Sequence, residues 1–267
     1  MHKLSIFKEK RPSVAVWKFT SCDGCQLSLL DCEDAILSVA DILEFKNFVE
    51  ISSDVRPGPY DISIVEGSIS TPRDKEMIHK VREESKILIC IGACATTGGI
   101  QALRNFASIE NYKGLVYARP EYINTLATST AIAEHVKVEY ELHGCPINKR
   151  QLLDVILSFI IGKRPSAESQ SVCMECKAKG NVCIAVTNQT PCLGPVTHAG
   201  CGALCPTYGR GCYGCFGPKE MAEPVFLASH FEKSFGTSQQ EIKALLSNFT
   251  CAATEFTKAR EHYDRAE

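Results

Sequence analysis

Cys22 and Cys25 are spaced as a CxxC pair, and so are Cys173 with Cys176 and Cys212 with Cys215. Two thiolates at that spacing can grip one metal centre from a single turn of chain, so the chemistry to expect is metal–sulfur ligation. The whole chain of 267 residues carries 15 Cys. A disulfide framework suits short secreted chains, whereas this one is long, has an odd Cys count and opens MHKLSIFKEKRP, without an apolar signal core. The thiols are therefore expected to stay reduced, in the cytoplasm, and to serve as ligands.

The first half places its thiols in one way. Thr20-Ser21-Cys22-Asp23-Gly24-Cys25, Ile91-Gly92-Ala93-Cys94 and His143-Gly144-Cys145-Pro146 each follow a β-branched run with a small-residue turn and then Cys. If those runs are parallel strands of an open sheet, their carboxyl ends share one edge, where such sheets bind ligands. Cys22, Cys25, Cys94 and Cys145 then form one four-thiolate site. Cys25 would open a helix whose amides favour an anionic core, and Gly24, Gly92 and Gly144 would let the backbone approach it. The second half supplies eight more thiols, divided in sequence order into Cys173, Cys176, Cys183 and Cys192, and Cys201, Cys205, Cys212 and Cys215. Four-Cys zinc and iron–sulfur clusters both fit these spacings. Three features favour iron–sulfur: twelve Cys with no His needed as ligand, Pro after Cys145 and Cys205, and a third site on a separate domain; several closed sites in one chain suit an electron path.

The elements that must position these residues follow from periodicity. Val14–Thr20, Phe48–Ser52, Asp61–Val65, Lys86–Ile91 and Lys137–Leu142 read as strands, and Gln26–Leu43, Arg73–Glu84, Gly99–Phe106 and Asn148–Ile161 as helices. This alternation predicts an α/β fold, a flavodoxin-like open parallel sheet covered on both faces. Residues 163–171 (KRPSAESQS) read as a linker, giving domains 1–162 and 163–267. Residues 172–218 show little hydrophobic periodicity, so the second domain is expected to be Cys-rich, mostly irregular and helical, with no conventional core in that stretch. Helical patterns return at Lys219–Phe235, Gln239–Phe249 and from Ala252 onward.

At the motifs SCDGCQLSLLD (21–31), VEGSI (65–69), IGACATTGGIQA (91–102), HGCPIN (143–148), CLGPVTHAGC (192–201) and GCYGCFGP (211–218) the sequence resembles the small subunit of nickel–iron hydrogenases. The resemblance implies a proximal 4Fe-4S cluster on the flavodoxin-like domain and medial and distal clusters on the second. By that alignment Cys173, Cys176, Cys183 and Cys192 are the distal ligands, and Cys201, Cys205, Cys212 and Cys215 the medial ones. It also implies that hydrogen is split at a nickel–iron centre on a separate large subunit, leaving this chain without a catalytic site of its own. Uptake members carry His where this chain has Cys173 and Pro where it has Cys205, and both departures point to three 4Fe-4S clusters. No twin-Arg signal opens the sequence, which resembles the cytoplasmic, multisubunit members, including the NADP-reducing sulfhydrogenase type. Their partners include a flavin and nicotinamide subunit and a ferredoxin-like subunit. Deazaflavin- or heterodisulfide-linked acceptors, and sulfur reduction, stay open.

Other residues carry weaker signals. Glu66, at a strand end beside the first site, suits a proton relay or a subunit contact, or an ordinary surface acid. His143 and His198 flank ligand Cys and could donate to cluster sulfur or simply pack. Cys32, Cys90 and Cys251 read as apolar side chains, the first and last on helices. Residues 209–214 match GxGxxG, but no strand precedes them and Cys212 lies inside. An FMN carrier would need a hydroxyl-rich loop where Cys22 and Cys25 stand, and a zinc-stabilised scaffold would be colourless where clusters make a protein brown. With 29 Lys and Arg against 31 Asp and Glu, no basic block offers a nucleic-acid surface. The longest apolar run, 152–161, is interrupted by Asp154 and Ser158 and is too short to cross a membrane.

Overall fold

The computed structural model of the protein describes residues 11–32, 41–166 and 170–264. Its sheet holds β1 (Ser13–Lys18), β2 (Glu44–Phe48), β3 (Tyr60–Glu66), β4 (Ser85–Ile91) and β5 (Tyr140–Leu142), all parallel, in the order β2-β1-β3-β4-β5. The helices around it are α1 (Gly24–Leu30), α2 (Pro72–Glu83), α3 (Gly92–Thr97), α4 (Ile109–Val116) and α5 (Lys149–Ile160). Alternate strand residues go to opposite faces. Val14, Val16, Ile62, Ile64 and Ile89 pack with Leu29 of α1 and Leu152, Val155 and Ile156 of α5. Val65, Leu88 and Cys90 pack on the other face with Ile78 and Val81 of α2. The order reverses between β1 and β3, so the crevice at their carboxyl ends is the switch point at which such sheets bind ligands.

The second half carries α6 (Val172–Ala178), α7 (Ile184–Thr187), α8 (Leu204–Thr207), α9 (Pro224–Phe235), α10 (Gln239–Leu246) and α11 (Thr254–Asp264). The expectation that residues 172–218 lack a core is corrected. Val172, Leu193, Val196 and Ala203 are buried with Phe231, Ile242, Leu246, Phe256 and Tyr263 of the tail helices, so the loop-rich stretch shares a core with segments that follow it. The halves also touch. Asn148 Nδ2 donates to the Gly200 carbonyl (2.5 Å), and the Arg260 guanidinium lies 3.5 Å from the Phe106 ring centroid.

Several boundaries move. The strand expected at Phe48–Ser52 is Glu44–Phe48 instead: Val49 and Ile51 are exposed, whereas an edge strand with one neighbour tolerates Glu44 and Lys46. The first helix ends at Leu30; residues 33–40 of its expected span lie outside the described ones. β5 starts only at Tyr140, because the Glu139 carboxylate takes the Leu88 N–H (2.8 Å) and an ion pair with Arg82. Gly99–Phe106 is a 3-10 helix from Ile100, preceded by α3, and α4 was not foreseen. The tail helix starts at Pro224 rather than Lys219, and α10 stops at Leu246 rather than Phe249. Cys32 and Cys90 are buried; Cys251 is buried too, but in a turn, with Sγ 3.9 Å from the Gly99 carbonyl.

Candidate iron–sulfur sites

The first thiol set is built by strand ends. Cys22 follows β1, Cys25 lies in the first turn of α1, Cys94 is in α3 directly after β4, and Cys145 follows β5. Cys25 lies within electrostatic reach of Cys94 and Cys145, and Cys22 within reach of both Cys94 and Cys145. Burial, more than any neighbour, pushes the thiols up: Cys25 and Cys145 rise, and Cys94 goes to about 11. A buried thiol ionises only when something takes the charge, so these three are not free surface nucleophiles. Gly92 has φ +85°, and a Cβ there would collide with Cys25 Sγ, so Gly at 92 keeps the space beside that sulfur open.

Glu66 stands at the end of β3 and is 2 % exposed. Its carboxylate accepts the backbone N–H of Cys25 (3.0 Å) and of Gln26 (3.3 Å), fixing the first turn of α1. Burial raises its pKa against these bonds. The group is therefore a buried acid and not an ordinary surface one. Lys18 and Asp23 pair across the same loop at 2.5 Å.

The eight later thiols fall into two sets. Cys201, Cys205, Cys212 and Cys215 line one cavity of about 520 Å³, together with Arg150, Phe216 and Cys145 of the first set. Burial is the main cause that pushes Cys215 up to about 12, followed by Cys201 and Cys145. Cys173 sits within reach of Cys192, Cys176 and Cys183, and burial followed by these neighbours takes it to about 11. A Cβ at Gly194 would stand 3.4 Å from both Cys173 Sγ and Cys192 Sγ. The two sets meet where the Cys212 backbone N–H donates to Cys192 Sγ (3.2 Å). The thiols therefore run in series: the Cys22 set touches the Cys201 set through Cys145 and Cys215, and the Cys201 set touches the Cys173 set through Cys212 and Cys192.

Among the described residues no three Cys, His, Asp or Glu converge closely enough to hold a single metal ion. A single zinc ion needs sulfurs about 2.3 Å from one point. Thiols that line a shared space without meeting at a point fit a polynuclear iron–sulfur core, whose several irons each take one Cys.

Of the two roles open to the flanking imidazoles, packing is the one seen. His143 and His198 stack on each other, centroids 5.0 Å apart and planes 11° apart. Burial, then the charge of His198, lowers His143 to about 4, so it is a neutral ring bridging the halves. Two further residues escaped the sequence reading. Glu175 accepts the backbone N–H of Gly200 (3.0 Å) and Ala203 (3.3 Å), shaping the loop that carries Cys201. Gln101 lies 3.7 Å from Cys94 Sγ. An acid inside the CMEC pair was the available signal for the first; Gln101 had only its place in GGIQA.

Residues 22–159 match the protein family described as NADH ubiquinone oxidoreductase, 20 Kd subunit. The chain is 36% identical to sulfhydrogenase 2 subunit delta of Pyrococcus furiosus, over 77% of this chain and 86% of that one. It is 32% identical to a subunit of the F420-non-reducing hydrogenase vhu of Methanocaldococcus jannaschii, over 89% and 94% of the two chains. In fold it is similar to a chain of the actinobacterial-type NiFe-hydrogenase from Ralstonia eutropha H16, with TM-score 0.57 and 17% identity over 88% of this chain and 90% of that one. The chain belongs to the NADH ubiquinone oxidoreductase 20 Kd subunit family and, within it, is the iron–sulfur small subunit of a multisubunit hydrogenase.

Proposed function

We propose that this subunit conducts electrons through three 4Fe-4S clusters between a nickel–iron centre on a separate large subunit and flavin and nicotinamide partner subunits, with a ferredoxin-like subunit alongside. Cys22, Cys25, Cys94 and Cys145 would hold the proximal cluster, Cys201, Cys205, Cys212 and Cys215 the medial one, and Cys173, Cys176, Cys183 and Cys192 the distal one. Bound clusters supply one-electron redox chemistry. The chain's own residues keep water from the buried thiols, fix the Cys25 turn through Glu66 and join the halves through Asn148 and Gly200. The observation that carries the reading is the serial arrangement of the three thiol sets, with junctions at Cys145/Cys215 and Cys192/Cys212.

Hydrogen oxidation or evolution coupled to NADP(H), with sulfur reduction as a further outlet, accords with the sulfhydrogenase relative. A deazaflavin-linked acceptor, motivated by the relative named coenzyme F420 hydrogenase subunit gamma, is the second reading, with a heterodisulfide-linked one beside it for the relatives named F420-non-reducing hydrogenase. The domains divide at 162/163, and the complex works in the cytoplasm. Among the described residues no helix is long and apolar enough to cross a membrane, which accords with that location.

The first test is stoichiometric. The native complex should hold about twelve iron and twelve acid-labile sulfide attributable to this chain, one 4Fe-4S cluster per four-thiolate set. Zinc, or about four iron, would refute the assignment. Cys205→Pro should convert only the medial cluster to a three-iron form with a raised potential, seen by electron paramagnetic resonance of the oxidised complex. A change in the distal signal instead would overturn the division of the eight later thiols.

A further inference from the structure

The Gln101 carboxamide connects Cys94 to the switch-point crevice. Its Nε2 donates to the Thr20 carbonyl (2.8 Å) and to Ser68 Oγ (3.0 Å), while its Oε1 faces Cys94 Sγ at 3.7 Å. Gly99 makes that approach possible: it has φ +68°, and a Cβ there would stand 2.6 Å from Cys94 Sγ and 2.8 Å from Gln101 Oε1. The arrangement suits a protonated thiol, which donates to the amide oxygen. It opposes a ligand sulfur, which has no proton and carries negative charge. Turning the amide by half a rotation replaces that opposition with an N–H donor.

The two groups beside the carboxamide respond differently to that turn. Thr20 O keeps the backbone N–H of Ser68 (2.9 Å) but faces the amide oxygen once the amide has turned, a cost that the bond to a negatively charged sulfur has to outweigh. Ser68 Oγ lies 2.8 Å from Ser129 Oγ, and Ser129 Oγ lies 3.0 Å from the Gly98 carbonyl. Each hydroxyl has one proton, so this row can run toward Gly98 with Ser68 accepting from Gln101, or toward Gln101 with Ser68 donating to its oxygen. Ser68 and Ser129 are fully buried, so no water competes for either arrangement.

We infer that Gln101 is a positioning residue for electron transfer: when Cys94 ligates a cluster, the carboxamide turns its NH₂ to Cys94 Sγ, supported by the Ser68–Ser129 hydroxyl row. Negative charge on sulfur grows when a cluster gains an electron, so such a donor stabilises the reduced form and raises the potential. The inference rests on the reading of Cys94 as a proximal ligand.

The test is a redox titration of the intact complex, followed by electron paramagnetic resonance of the signal that Cys94→Ser abolishes. In Gln101→Leu the reduced-to-oxidised ratio at the wild-type midpoint should fall about tenfold, equivalent to a midpoint about 59 mV lower for one electron. Gln101→Glu keeps the shape and lacks the donor; it should fall at least as far, and it decides the matter if the Leu variant loses the cluster. Ser68→Ala should give a smaller fall, about threefold. An exchangeable deuteron coupled to the reduced cluster should be present in the wild type and absent in Gln101→Leu. An unchanged or raised midpoint in the Leu and Glu variants, with the cluster present, overturns the role of Gln101. Absence of any signal that Cys94→Ser removes is a separate failure: it sinks the ligand assignment, and the inference falls with it.

Discussion

The Cys22 set and the two later sets solve one problem by opposite means. The first hangs its thiols on the ends of parallel strands whose cores are already closed by Ile62, Ile64, Leu88 and Ile89. The later sets hang theirs on short helices of four to seven residues, α6 to α8, and on turns that lean on α9, α10 and α11 for a core. A thiol at a strand end is held by burial elsewhere in the sheet, whereas a thiol in a turn needs its metal and its neighbours together. Position in the first case precedes the cofactor; in the second the cofactor is part of what holds position.

The largest effect that would sharpen this contrast is removal of the clusters. Stripping the intact complex of iron anaerobically should speed hydrogen exchange in residues 172–215 about a hundredfold, a loss of about 3 kcal/mol of protection, while β3 and β4 change little. Equal deprotection of both regions would erase the contrast. Core truncations give the next largest effect, each confined to its own half. Phe231→Ala, at a residue 1 % exposed, should cost about 3–5 kcal/mol and lower the iron content of the later sets. Ile64→Ala should cost about 2–5 kcal/mol and act first on the Cys22 set. Iron analysis and thermal melts of both variants would reveal any crossover between halves.

The smallest effect is on acid stability of the sheet. Burial pushes the Asp61 carboxyl up, but bonds from Lys86 Nζ (2.7 Å) and from Ser13 N and Oγ (2.9 and 3.0 Å) outweigh it and leave the group below its ordinary value. The folded state therefore holds that proton less tightly than the unfolded chain. The resulting stabilisation is present above the unfolded value of about 3.9 and is lost as pH falls through the folded value. Asp61→Asn should lack it, so the melting points of wild type and variant should converge below about pH 3.9. A constant gap down to pH 2 would show that Asp61 acts by shape alone.

The sheet edge was legible in the residues because a strand, a glycine turn and a thiol recur three times with the same physical logic. Sequence order alone does not divide the eight later thiols, since Cys212 neighbours Cys192 as well as Cys215. The shared core was not legible, since Val172 and Leu193 find their partners some 40–90 residues later and no local period announces such a pairing. β2 was misplaced because exposed Val49 and Ile51 imitate a buried run, while Glu44–Phe48, at the sheet margin, does not. Gln101 and Glu175 were missed because an amide or a carboxylate serving a nearby backbone or sulfur has no spacing rule. Their roles exist only once the chain has folded.

The shared core also fixes a sequence of events during synthesis. All twelve thiols leave the ribosome before α9, α10 and α11, whose Phe231, Ile242, Leu246 and Phe256 close the core beneath two of the three sets. The nascent chain thus passes through an interval in which its ligands are complete but their shelter is not. Delivery of iron and sulfide to the later sets has its easiest access in that interval, and arrival of the tail then locks what has been loaded.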